Sequence, residues 1–134
     1  MPKGFSPYAC VYTRASTSDG DRRFFPLTGA REAAPIKLVL SQFEIWAMTG
    51  DTKVEPALQV ADTEDGWPDA ATYTRIGSLT GTADGFYVSS GFDDISASLV
   101  KAYVRFGVIV RNNTSGSPKT ELCWVRGRFD VRSC

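Results

Sequence analysis

From Val100 to Val110 every second residue is apolar. Val100, Ala102, Val104, Phe106, Val108 and Val110 alternate with positions that include Lys101, Tyr103 and Arg105, and Arg111 follows in the same phase. A period of two held over that length puts the apolar side chains on one face of a strand and the remainder on the other. The pattern returns at Cys123, Val125, Gly127, Phe129 and Val131, with Trp124, Arg126, Arg128, Asp130 and Arg132 on the opposite side. The intervening NNTSGSP, residues 112–118, consists of residues that accept turn and left-handed geometry. Together these segments read as a long antiparallel hairpin.

Upstream the alternation is less regular. Residues 8–14 (YACVYTR), 54–60 (VEPALQV), 71–79 (ATYTRIGSL) and 85–90 (GFYVSS) read as strands, and Pro56 suits an edge strand because proline donates nothing to a ladder. In 36–48 the apolar set runs Ile36, Leu38, Leu40 and then Phe43, Ile45, Ala47, a change of phase that predicts a β-bulge or bend. Trp46 and Met48 fall opposite that second set, so this strand reads as apolar on both faces and in need of a cover. Residues 92–98 read as one helical turn or a loop. No segment holds the 3.6-residue period of a solid helix. The expected fold is all-β: a single-domain antiparallel β-sandwich over 1–134, jelly-roll-like, with about seven or eight strands and little or no helix.

Composition changes this picture little. A chain of 134 residues with 43% hydrophobic and 22% charged residues builds a core without staples. Its formal net charge of zero weighs against nucleic acid as a partner and favours association. The charge is unevenly spread. Residues 50–98 carry acids against only Lys53 and Arg75, whereas residues 99–134 carry bases against only Glu121 and Asp130. The two regions face each other in one molecule, merely coexist on its surface, or pair head to tail between copies. MPKGFSPYAC has no apolar run behind Lys3, and no stretch reaches the length of a membrane span. The expectation is therefore cytoplasmic synthesis without export and no membrane partner, compatible with release inside an assembled virus-like particle. Of the three cysteines, Cys10 and Cys123 read as inward and structural and Cys134 as exposed.

The chain contains no histidine, which removes the usual general base and the commonest zinc ligand together. Asp93 and Asp94 are adjacent and would point in opposite directions from an extended backbone, a poor start for a carboxylate pair. In ADTEDGWPDA (61–70), Asp62, Glu64, Asp65 and Asp69 offer hard oxygens at calcium-like intervals, without the order of an EF-hand. Trp67 in the same loop either stacks on a partner or folds back over the sandwich, and with Tyr73 and Tyr87 it gives a candidate sugar platform. On the polar side of the expected hairpin, Tyr103, Arg105, Trp124, Arg126, Arg128 and Arg132 share a face. Arginine beside aromatic rings is the composition of nucleic-acid grooves and of protein interface centres, and the neutral charge favours the second.

The sequence thus points to a non-enzymatic structural subunit that packs with copies of itself or onto a larger shell or tube. Coat, cement and tail components of viral and phage-like particles supply the analogy, at the level of fold alone. The competing expectation is a carbohydrate-binding β-sandwich module, with calcium in the acidic loop.

Overall fold

The computed structural model describes residues 9–15, 23–113 and 119–133; of 9–15, 112 and 119–122 the backbone alone is described. Among the described residues ten strands form, interrupted by a single 3-10 turn at Ser96–Ser98. They are β1 (Ala9–Ala15), β2 (Arg23–Pro26), β3 (Arg31–Glu32), β4 (Leu38–Trp46), β5 (Thr52–Ala61), β6 (Thr74–Arg75), β7 (Gly85–Val88), β8 (Asp93–Asp94), β9 (Tyr103–Asn112) and β10 (Lys119–Arg132). One antiparallel sheet has the order β1-β10-β4-β7, with β8 on β4; the other has β2-β9-β5-β6, with β3 on β9. With the two-residue β3 and β8 set aside, this is the strand order of a jelly roll, in which the chain passes repeatedly between two four-stranded layers. Among the described residues no helix is long and apolar enough to cross a membrane.

Within β9 and β10 the alternation reports the inner faces correctly, but the expected strand starts too early: Val100, 75% exposed, and Ala102 precede β9 and face solvent. Val104, Phe106, Val108 and Val110 are buried, as are Cys123, Val125 and Phe129, and all belong to one core with Val39, Phe43, Ile45, Val54 and Leu58. The expected hairpin, however, does not form. β9 pairs with β2, β3 and β5, while β10 pairs with β1 and β4, so the two strands lie in opposite sheets. Phe106 and Phe129 meet between the layers, with ring centroids 5.5 Å apart. The segment 114–118 that joins the strands, Cys134 and the side chain of Cys10 lie outside the described residues.

Three further expectations are corrected. β4 has no bulge: it runs in continuous register with β10 from Leu38↔Arg132 to Trp46↔Trp124. Its inner positions are Val39, Ser41, Phe43 and Ile45, and the polar Ser41 at a core position hid the alternation. Leu38 and Leu40 consequently face outward. Met48 does not share the outer face with Trp46, because Ala47 adopts a left-handed φ of 54° and the chain turns Met48 back onto the core. Pro56 is not on an edge strand, since β5 lies between β9 and β6. Val54 exchanges backbone hydrogen bonds with Gly81, and Pro56 O accepts from Ile76 N, so these residues aim their backbone away from β9. The missing proline N–H therefore falls where the two-residue β6 demands little of it.

β2 packs tightly on β9. A side chain at Gly107 would meet Phe25 O, so the glycine allows the two backbones to approach. At the opposite end, Asp94 closes the 3-10 turn by accepting hydrogen bonds from Ser96 Oγ at 2.7 Å and Ser96 N at 2.9 Å. These bonds, the hydroxyl's first, hold the Asp94 carboxyl below its ordinary range. Because the folded value is lowered, the contribution is present above the unfolded pKa and is lost as pH falls through the folded one. Ser96→Ala is expected to return the Asp94 titration toward the ordinary carboxylate value, read from its side-chain carbon resonance. No change would assign the shift to the backbone N–H of residue 96, which the substitution keeps, and to the lesser influence of Lys37.

Candidate functional site

The outward faces of the two sheets differ. On the β2-β9-β5-β6 sheet, the outward positions of β5 and β9 include Glu55, Ala57, Gln59 and Ile109, and none is more than 2% exposed. The cover is the chain itself. Residues 62–75 fold back across this face, and Gln59 Nε2 donates to the carbonyls of Asp69 and Thr72, both at 2.9 Å. Phe24 N donates to Ala70 O, and Tyr73 packs on a second apolar cluster of Phe24, Ala57 and Ile109.

Arg105 fastens this strap. Its Nη2 and Nε donate to Gln59 Oε1 at 2.7 and 3.1 Å, and its guanidinium lies 4.5 Å from the centre of the Trp67 ring. Burial lowers the Arg105 pKa, but an arginine remains charged under any physiological condition. A second tie lies further along β5. The carboxylate of Glu55, 1% exposed, is paired with Arg75 and Arg111 and accepts from Thr80 Oγ1.

This arrangement redistributes the residues singled out from sequence. Tyr103 and Arg105 do not share a surface with Trp124, Arg126, Arg128 and Arg132, because they stand on different sheets. Trp67 folds back over the sandwich, its Nε1 donating to Glu64 O at 2.9 Å. Tyr73 lies under the strap, whereas Tyr87 is on the inner side of β7, stacked 5.4 Å from Phe43 and donating to Ala83 O. The three rings of the expected sugar platform are thus not brought together. Nor do the four acids converge as calcium ligands. Asp62 is 3.6 Å from Lys101, Asp65 accepts from Thr63, Asp69 accepts from Ala71 N and Thr72 Oγ1, and Glu64 contributes its carbonyl to Trp67. Among the described residues no group of three or more His, Cys, Asp or Glu could hold a metal ion.

The outer face of the β1-β10-β4-β7 sheet carries the rest. β10 contributes Trp124, Arg126, Arg128, Asp130 and Arg132, and β4 sets Trp46, Glu44, Gln42, Leu40 and Leu38 directly opposite them. Trp46 and Trp124 stack nearly parallel, with centroids 6.2 Å apart. Arg126 Nε donates to Glu44 Oε1 at 2.9 Å, and these two residues with the tryptophans line a shallow depression. Arg128 Nε donates to Asp130 Oδ1 at 2.9 Å, Gln42 supports the same carboxylate, and Arg132 lies 4.1 Å over the Phe92 ring. Each ion pair is half open to water and contributes at most about 1 kcal/mol; its effect is to orient the guanidinium groups. β7 adds Phe86 and Val88, outward by their register with Glu44 and Gln42. Phe86 is 52% exposed, Val88 47% and Trp124 40%. Flat apolar area with oriented N–H donors around it is the chemistry of a protein docking surface.

The alternation of β10 indicated Trp124, Arg126, Arg128 and Arg132. On β4 the second half indicated Trp46, but Glu44 and Gln42 were not legible as partners, and neither were Phe86 and Val88, since GFYV is too short and too uniformly apolar to reveal its faces.

No family model matches the chain, and no curated protein matches it in sequence. Among solved structures, it is similar to a chain in the structure of infectious bursal disease virus, Gx strain, with a TM-score of 0.49 and 6% identity. The similarity covers 94% of this chain and 30% of that one, so this chain spans less than a third of its length.

Proposed function

We propose that this chain is a non-enzymatic structural subunit, a jelly roll that packs through the outer face of its β1-β10-β4-β7 sheet against a second copy of itself. Coat and cement components of virus-like particles are the class of assembly it fits, since jelly rolls recur in capsid domains. The carrying observation is the inequality of the two outer faces. One is closed by the chain's own strap, while the other leaves Trp124, Phe86 and Val88 open among oriented arginines. The absence of histidine from the whole sequence supports the non-enzymatic part of the reading.

Charge favours a second copy as the occupant. Across the open sheet the arginines sit on β10, while Glu44 on β4 and Asp94 on β8, opposite the outward Leu38, lie toward the other side. A two-fold axis near β4 would set β10 of one copy over β7 and β8 of the other, matching bases to acids at both ends.

Light scattering after gel filtration, at low and high salt, tests this. The expected result is a dimer or larger mass that declines as salt screens the charged rim. Arg126→Glu with Arg128→Glu should lower the mass while the circular dichroism spectrum is retained. A monomer at both salts, at concentrations on the order of 100 μM, would overturn the proposal.

A further inference from the structure

A cleft of about 360 Å³ opens beside the proposed docking face, between residues 78–80 and 88–93. We infer that it is a receptor for an aliphatic ammonium or guanidinium group, the side-chain end of a lysine or arginine.

Asp93 supplies the charge. Its half-buried carboxylate is seated on Gly77, where an added Cβ would lie 2.7 Å from the carboxyl carbon and both oxygens. Gly77 has a φ of 59°, a left-handed conformation that suits glycine, and a Cβ there would have to displace the Asp93 carboxylate. The adjacent Asp94 is satisfied by Ser96. The Asp93 carboxylate, by contrast, has no hydrogen-bond or ion-pair partner among the described residues. A half-buried anion without a partner calls for a cation or a donor.

The hydroxyls of the cleft narrow the class. Ser89 Oγ donates to Ser41 O and accepts from Ser41 N, both at 3.0 Å. Thr80 Oγ1 directs its proton at Glu55 Oε2 or Ser78 O. With their protons engaged inside the protein, these two groups have only lone pairs left for a ligand. Ser78 and Ser90 add hydroxyls that can turn to accept. The site therefore selects N–H donors and rejects anions. One carboxylate is too few for calcium, which takes six to eight oxygens in sites of roughly that many ligands. Leu79 and Val88 supply apolar wall for a methylene stem, as lysine and arginine require.

Two sources could present this group: a side chain of a second copy, or a small free amine. Val88 belongs both to the cleft and to the open sheet face, so a copy docked there would bring its basic side chains to the cleft mouth. That assignment of source rests on the proposed self-packing; the receptor chemistry does not.

The test is a ¹⁵N–¹H correlation titration of monomeric chain with Nα-acetyl-lysine methylamide, against the uncharged norleucine analogue. Shifts are expected at Gly77, Ser78, Ser89 and Ser90 with the lysine compound alone. Asp93→Asn should weaken that response at least about fivefold, as loss of a charge-assisted contact implies. If that variant does not fold, Ser90→Ala should give a smaller loss in the same direction. If the source is a second copy, Asp93→Asn also lowers the mass seen by light scattering; if it is a free amine, the mass is unaltered. Equal responses to lysine and norleucine, or none, would overturn the inference, as would full binding by Asp93→Asn. A chain that stays monomeric at both salts in light scattering and binds the lysine compound refutes self-packing and keeps the cleft, whereas a chain that assembles but whose dissociated monomer gives no such response does the reverse.

Discussion

Phe106→Ala is expected to remove about 3–5 kcal/mol from the unfolding free energy, the range for truncating a fully buried phenylalanine. The ring is fully enclosed and stacks on Phe129 at 5.5 Å, with the planes 17° apart. Since β9 and β10 belong to opposite sheets, this is a contact between layers. Its loss opens a cavity in the middle of the core, which the hydrogen-bonded strands around it can close only in part. Phe129→Ala should cost a comparable amount. The double variant should lose less than the two together, by a coupling of about 0.5–1.5 kcal/mol for the ring pair. Urea denaturation of the four proteins measures this. A loss under about 1 kcal/mol for Phe106→Ala would mean that the layers do not meet at this ring.

The same pair shows what the sequence could and could not convey. Alternation fixes which side of a strand is dry, and the inner set on β9 and β10 was read correctly from it. It carries no information about the neighbour. A turn-rich stretch such as NNTSGSP can close a hairpin or arch between layers about 10 Å apart, and here the strands it joins lie in different sheets. On β4 a single serine at an inner position was enough to suggest a bulge that is absent. Glu55 and Gln59 alternate with the apolar Val54, Pro56 and Leu58, and they point away from the core. Outward did not mean wet, because residues 62–75 return to cover them. That return depends on contacts between distant segments, Trp67 with Arg105 and Arg75 with Glu55, which no local pattern encodes. For the same reason, one arginine-bearing face read from the sequence became two faces, one covered by the chain and one open.

Glu55→Ala is expected to cost roughly 3 kcal/mol and to loosen the strap before the sandwich unfolds. The Glu55 side chain is 1% exposed, whereas those of Arg111 and Arg75 are 18% and 40% exposed. Removing the acid leaves Arg111 largely enclosed without this partner and beside Arg75, a like charge; Arg75 can swing into water, but Arg111 has less freedom to do so. Glu55→Gln retains the shape and some hydrogen bonding, so it should lose less. Replacing both enclosed members, Glu55→Leu with Arg111→Met, should recover part of the loss, because no charge then remains to be desolvated. Hydrogen exchange locates the effect: the Phe24 amide, which donates to Ala70 O of the strap, should lose protection in Glu55→Ala while the inner amides of β9 keep theirs. Trp67 emission should shift to longer wavelength as the ring leaves Arg105. If stability, exchange and emission all remain as in the unaltered chain, the Arg105–Gln59 clamp holds the strap alone. If the strap does loosen, Phe24, Ala57 and Ile109 become exposed and the two outer faces become alike. The variant should then associate through both faces, so under the proposed self-packing the strap, by closing one face, confines packing to the other.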